Sequence, residues 1–190
     1  MPLQTLKVLS EQLWVDALIM VLIDTALIVF LTWRIKRHRF RELRWILVGT
    51  ASIFWSVFGL LLVSIFWDTY YQYFYPGWLR SGGILLFMPI LYGGLAFVFH
   101  WLSLRLPGNP ILSFCLLGGL HSVLEHLWGI YGLKILEIPM LQGVDPTPIL
   151  AFAFPEYIFY WSIVISFAVL FQNGWRWWIW RRGKGAKLAA

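Results

Sequence analysis

The sequence predicts an all-α integral membrane protein, a bundle of five transmembrane helices with the N-terminus outside and the C-terminus in the cytoplasm. Three observations carry that expectation. Of the 190 residues, 60% are hydrophobic, 19% aromatic and only 13% charged, whereas a soluble domain carries about 25% charged residues. Apolar runs recur at a length of about 20 residues, enough to cross the hydrocarbon core as a helix. The basic residues behind the net charge of +6 fall between those runs, not on one solvated face, so they argue for lipid headgroups and against a nucleic-acid partner.

In chain order the runs are Leu13 to Trp33, Trp45 to Trp67, Gly83 to Leu102, Ile111 to Leu133 and Pro148 to Phe171. No basic region precedes the first, and it is long enough to span, so it is expected to be a retained helix and not a cleaved signal. Residues 1–186 read as a single polytopic membrane domain. The last four, Lys187-Leu188-Ala189-Ala190, resemble the start of an expression-vector tail. The single cysteine, Cys115, lies inside an apolar run and is expected to be a small core residue.

The connections give the orientation. Lys and Arg in short loops mark the cytoplasmic side. Arg34, Lys36, Arg37, Arg39, Arg41 and Arg44 lie in the first connection, Arg105 in the third, and Arg176, Arg181, Arg182, Lys184 and Lys187 in the tail, twelve of the fifteen basic residues. Lys7, Arg80 and Lys134 fall on the other side with Glu11, Asp16, Asp68, Glu137 and Asp145. An odd number of spans with this asymmetry fixes N-out and C-in, and the expected location is the cell membrane, multi-pass, with the cell inner membrane as the expected compartment. Aromatic residues from Trp67 to Trp78 and from Trp175 to Trp180 sit where amphipathic rings anchor at the interfaces. The segment Asp68 to Gly82 is expected to lie flat on the outer surface, and the tail from Gly174 to Lys187 to be interfacial and lipid-facing.

The fourth run carries the chemistry. Gly118, His121, Ser122, Glu125, Trp128, Gly129 and Gly132 form one small or polar stripe at about 100° per residue. Such a stripe turns away from lipid, because ionisable groups find no partners in hydrocarbon. His121 and Glu125 are one turn apart, so imidazole and carboxylate can meet, with His126 at the edge of the same face. Loss of water disfavours the charged form of both groups, which makes proton transfer between them feasible.

In the fifth run Pro155 frees a backbone carbonyl one turn earlier, Glu156 follows it, and Tyr160 lies one turn beyond. Counting about 1.5 Å per residue from the outer helix ends, Glu125 and Glu156 lie about 12 Å deep, His126 about 10 Å, Asp24 about 16 Å and His121 about 18 Å. These residues are therefore expected to meet in one cavity, with Trp128, Tyr160, Asp24 and His126 lining a substrate pocket. His121, Glu125, His126 and Glu156 together are also a candidate ligand set for a divalent metal. His100, near the cytoplasmic end of the third run, reads as an interfacial histidine or a lone pigment ligand. Gly49, Ser52, Ser56 and Gly59 in the second run read as a helix-packing face. Walker, dinucleotide, serine-elbow and CxxC patterns are absent from the sequence.

His121-x-x-x-Glu125, followed in the next helix by Glu156, resembles the acid-base arrangement of the emopamil-binding sterol isomerases over two helices and three residues. The connecting loop of that family is not present here. The resemblance implies that such a constellation processes a lipid-soluble substrate without a metal. The expectation is a small membrane enzyme acting on a hydrophobic or lipid-borne molecule, an isomerase, hydratase or lyase of lipid metabolism. Glu125 would be the principal acid or base, His121 its relay and Glu156 its counterpart. The alternatives are proton or metal-ion transport, in a homo-oligomer, and a pigment-binding subunit of a membrane complex.

Overall fold

The computed structural model describes residues 3–61, 72–73, 84–134 and 136–188. Within them the chain is all-α apart from one short strand pair. The helices are α1 (Leu3–Arg34), α2 (Arg37–Glu42), α3 (Arg44–Leu61), α4 (Ile84–Ser103), α5 (Pro110–His126) and α6 (Pro146–Leu188). A π-helical turn, Leu127–Gly132, continues α5. Strands β1 (Gln72–Tyr73) and β2 (Leu136–Glu137) pair antiparallel and tie the α3–α4 connection to the α5–α6 connection.

Among the described residues three helical stretches are long and apolar enough to cross a membrane: Gln4–Arg34, Pro110–Gly132 and Pro146–Arg181. Two shorter apolar helices, Arg44–Phe58 and Phe87–Ser103, lie beside them. These observations support a membrane protein. The surface agrees, since α1 exposes Leu18, Leu22 and Val29 and α6 exposes Phe167, Leu170 and Phe171, a band that water would penalise and acyl chains would solvate.

Two elements differ in extent from the sequence expectation. The first helix starts near Leu3, about ten residues before the apolar run, because Gln4 to Gln12 contains no helix breaker. The last helix does not stop at Phe171 but continues through the Trp- and Arg-rich tail. There it is pinned by Arg176, whose Nη2 lies 2.8 Å from Glu42 Oε2, and by Asn173, which accepts a hydrogen bond from Arg39. The aromatic cluster expected from Trp67 to Trp78 and the flat segment expected from Asp68 to Gly82 lie outside the described residues except for Gln72 and Tyr73.

The core is an aromatic stack between α3, α4, α5 and α6 in which Trp55, Tyr92, Phe114 and Trp161 are fully buried. Helix starts follow local chemistry. Asn109 caps α5, its side chain accepting the Ile111 N–H at 2.9 Å, with Pro110 as the first helical residue. Asp145 accepts the Thr147 N–H at 2.8 Å, a bond that holds its carboxyl below the usual range. The α5–α6 contact is made at glycines. A Cβ on Gly118 would fall on the Trp161 indole, and one on Gly119 would lie 2.8 Å from the Phe154 carbonyl oxygen. The packing face expected on α3 is half realised: Ser52 meets Gly93 and donates to the Pro89 carbonyl at 3.0 Å, whereas Gly49 faces open space.

Gly118→Ala is therefore expected to lower thermal stability in mild detergent by about 1–3 kcal/mol, because the indole has nowhere to move in a filled core. Gly174→Ala, at a helical position with nothing within 4 Å, is expected to be neutral or stabilising by up to about 1 kcal/mol. Equal effects at the two positions would refute the glycine contact as the determinant of α5–α6 packing.

Candidate acid-base site

The buried face of α5 runs through Cys115, Gly118, Gly119, Ser122 and His126. His121 and Glu125 sit at the edge of that face, with 21% and 18% of their side chains exposed. Nδ1 of His121 lies 3.9 Å from Oε2 of Glu125, and among the described residues this nitrogen has no hydrogen-bond partner. Oε2 of Glu125 also accepts the Tyr92 hydroxyl of α4 at 3.1 Å and the Tyr157 hydroxyl of α6 at 3.2 Å. The two hydroxyls are 3.2 Å from each other. Three oxygens thus form a near-equilateral triangle containing two hydroxyl protons, an arrangement that suits an ionised carboxylate receiving both.

Tyr92 and Tyr157 are the site residues that sequence reasoning missed. Both are buried tyrosines within apolar helices, far from the clusters where rings serve as interface anchors. Tyr92 precedes Ala96 by one turn and Tyr157 adjoins Glu156, so position within the span was the available signal.

An aromatic shell fixes the triangle. Trp55 stacks on Tyr92 with ring centres 3.8 Å apart and planes at 14°, and its ring is 5.4 Å from Tyr157. Edge-on contacts from Tyr92 at 6.0 Å and Phe99 at 5.9 Å hold the His121 imidazole. Trp161, seated against Gly118, buttresses Phe99 at 5.3 Å.

Glu156 is buried and accepts the Tyr160 hydroxyl at 2.9 Å. Tyr160 packs 5.7 Å from Tyr157, so adjacent tyrosines connect the two carboxylates. Phe54 and Phe58 of α3 pack on the other side of Tyr160 at 6.1 and 5.4 Å. The same two rings wall an apolar groove of about 590 Å³ between α3 and α6, completed by Thr50, Ile53, Phe167 and Phe171.

The other expected site residues are placed differently. His126 is fully buried, and its Nδ1 donates to the Ser122 carbonyl at 2.9 Å while the ring meets Tyr157 edge-on. Trp128 is 60% exposed and turned to the outside of the helix. The buried face centres near Ser122, and at about 100° per residue Trp128 lies roughly 120° away from it. Asp24 is buried, and both its carboxylate oxygens are without hydrogen-bond partners among the described residues. It lies within electrostatic reach of Cys115, whose sulfur is 3.4 Å from the Ser162 hydroxyl. Cys115 sits about 120° around α5 from His121, so Asp24 faces another side of that helix.

The ligand set expected for a metal does not form. Among the described residues no three His, Cys, Asp or Glu side chains converge in a way that could hold an ion. His126 is turned onto Ser122 and Glu156 onto Tyr160, away from His121. His100, in the last turn of α4, is likewise not open to a flat ring. It is completely buried, its Nε2 donates to the Phe40 carbonyl at 3.0 Å, and the two rings are 5.1 Å apart.

Fold and site together define an all-α membrane protein with a tyrosine-bound carboxylate and a histidine at the margin of its packed core. No known protein family, no curated protein and no solved structure matches the chain.

Tyr92→Phe and Tyr157→Phe are each expected to reduce thermal stability by about 1.5–3 kcal/mol, the usual worth of a hydrogen bond to a charged group. In a Glu125→Gln background both losses are expected to shrink, as coupled residues do. Undiminished losses in that background would mean that the hydroxyls do not act through Glu125.

Proposed function

We propose that this protein is a small membrane enzyme that binds a hydrophobic or lipid-borne molecule and performs proton transfer on it, in an isomerisation, hydration or cleavage. The observation that carries this reading is the Glu125 carboxylate, which collects two tyrosine hydroxyls and faces an imidazole within an apolar bundle. Such a carboxylate acts as a base. Tyr92 and Tyr157 hold the carboxylate in one orientation before the proton arrives, so little of the geometry has to be rearranged during the transfer. His121, one turn away with its Nδ1 unengaged, relays or orients that proton. The aromatic shell of Trp55, Tyr92 and Phe99 excludes water and can stabilise a cationic intermediate by facing it with π electrons. Glu156 and Tyr160 form the second half of the network, and Phe54 and Phe58, which pack on Tyr160, also wall the apolar groove, whose lining suits an acyl or isoprenoid chain.

The test compares wild type with Glu125→Gln and His121→Asn, each purified in mild detergent. Native mass spectrometry and lipid extraction identify what travels with each protein. The wild type is expected to carry a hydrophobic molecule that Glu125→Gln either lacks or holds as a chemically distinct precursor. Turnover of that precursor is expected to fall about 10²–10⁴-fold without the base. Identical lipid profiles in folded wild type and variant would defeat the enzyme reading and favour transport. Stoichiometric metal or visible absorption would instead favour a metal-carrying or pigment-binding protein.

The same reading includes five spans, N-out and C-in. It is supported by the gathering of the α1–α3 connection, the α4–α5 connection and the α6 tail at one basic end, through Arg37 to the Leu104 carbonyl at 2.8 Å and Arg176 to Glu42. The β1–β2 pair unites the other two connections, as alternating spans require. Because Cys115 is fully buried, single cysteines report on topology with little background. Lys7→Cys is expected to react with a membrane-impermeant maleimide on intact cells and His38→Cys only after lysis. The reverse pattern would invert the orientation, and labelling of both on intact cells would break the five-span count.

A further inference from the structure

At the basic end, α2, the start of α3 and the end of α4 wall a cavity of about 1080 Å³. Four arginines line it: Arg37, Arg41, Arg44 and Arg105. The one carboxylate in its wall, Glu42, is already engaged by Arg176 at 2.8 Å, so the interior keeps a strong excess of positive charge. We propose that this cavity is a binding site for the phosphate group of an anionic membrane lipid.

Three observations distinguish it from a solvated run of charge. The first is preorganisation. The guanidinium of Arg105 lies 3.6 Å above the Trp101 ring, that of Arg44 lies 5.7 Å from the Phe97 ring centre, and Arg37 is held by the Leu104 carbonyl at 2.8 Å and the Gly108 carbonyl at 3.4 Å. Guanidinium planes fixed on rings and carbonyls keep further N–H groups free for bidentate contact with phosphate oxygens. The second is an orphan donor. Nε of Arg44 is buried with no acceptor among the described residues, a state that costs free energy until an acceptor arrives. The third is the rim. Trp45, Phe97 and Trp101 are exposed beside the arginines, and Trp45 packs on Phe97 at 5.7 Å. A free phosphate has no use for that apolar edge, whereas a lipid lays its first methylenes along it.

The frame is rigid as well. The buried His100 bond to the Phe40 carbonyl anchors α2 to α4, so the α2 arginines keep their spacing to Arg105, two residues past the end of α4. Nothing in this site depends on Glu125, and its failure would leave the acid-base reading untouched.

The test uses the full chain in nonionic detergent, with phosphatidylglycerol, phosphatidylcholine and inorganic phosphate as probes followed by native mass spectrometry. Wild type is expected to retain phosphatidylglycerol, and the Arg44→Gln/Arg105→Gln protein to lose at least about tenfold in affinity. Arg181→Gln, a charge loss on the exposed tail at the same end, is expected to change affinity less than about twofold. Arg105→Lys is expected to fail to restore binding, since an ammonium cannot offer two parallel N–H groups. If the double variant does not fold, Arg41→Gln, at an exposed position in the same wall, provides the comparison. Equal losses in cavity and tail variants would reduce the site to diffuse attraction and overturn the proposal. So would displacement of the lipid by millimolar inorganic phosphate, which would make this a site for a soluble anion, or retention of phosphatidylcholine as tightly as phosphatidylglycerol.

Discussion

The approach of α6 to α5 at Gly118 and Gly119 is the constraint from which the rest of the centre follows. A side chain at either position would collide with Trp161, Ile158 or the Phe154 carbonyl. Their absence lets the Trp161 indole enter the α5 surface, one turn beyond Tyr157. With α6 at that distance, the Tyr157 hydroxyl reaches Glu125, one helical turn past His121 on α5. In lipid there is no hydrophobic drive to bring helices together, so close packing of small residues is what holds such a contact. Trp161 then supports Phe99, Phe99 supports His121, and Trp55 closes the stack over Tyr92. The polar triangle is thus held from three helices by aromatic contacts whose positions are set by two missing side chains.

Much of this was legible in the sequence because composition and period are local properties. The apolar run from Gly83 to Leu102 corresponds to α4, Ile84–Ser103, and the run from Ile111 to α5 with its π turn. Charge spacing put His121 and Glu125 within reach of each other, and the structure has them 3.9 Å apart. What period alone does not supply is the rotation of each helix about its axis. The polar stripe of α5 was centred near Glu125, whereas its buried face centres near Ser122, about 60° further round. That offset puts His126 inside, leaves His121 and Glu125 at the margin where Tyr92 can reach them, and turns Trp128 outward. The glycines decide the rotation, because only Gly118 and Gly119 admit α6, and their weight relative to a charged pair does not show in a helical projection.

Partners from distant elements were the other gap. A tyrosine in an apolar helix reads equally well as an anchor or as a donor until its neighbour is known, so Tyr92 and Tyr157 emerge only with tertiary structure. His100 shows the same limit in reverse. Its place near a helix end suggested the interface, yet the short helix α2 folds back over it and consumes its Nε2 proton on the Phe40 carbonyl. The isolated Asp24 carries the opposite lesson. Depth matched it to His121, but depth fixes only one coordinate, and its azimuth brings it to the Cys115 and Ser162 side of the bundle.

The apolar groove and the carboxylate network share a wall, and this links the lipid-facing surface to the buried centre. Phe54 and Phe58 face the groove with their outer sides and Tyr160 with their inner ones. Tyr160 donates to Glu156, and its ring rests on Tyr157, which donates to Glu125. A molecule seated in the groove would meet Phe54 and Phe58, the first of a continuous line of rings ending at both carboxylates, with Thr50 the one polar residue in the groove's lining among the described residues. Phe54 and Phe58 are open to the groove on one side and in ring contact with Tyr160 on another. Phe58 touches Tyr160 with ring centres 5.4 Å apart, and Tyr160 in turn donates to Glu156 at 2.9 Å. The wall of the apolar groove and the hydrogen bonds of both carboxylates are thus joined by ring contacts alone.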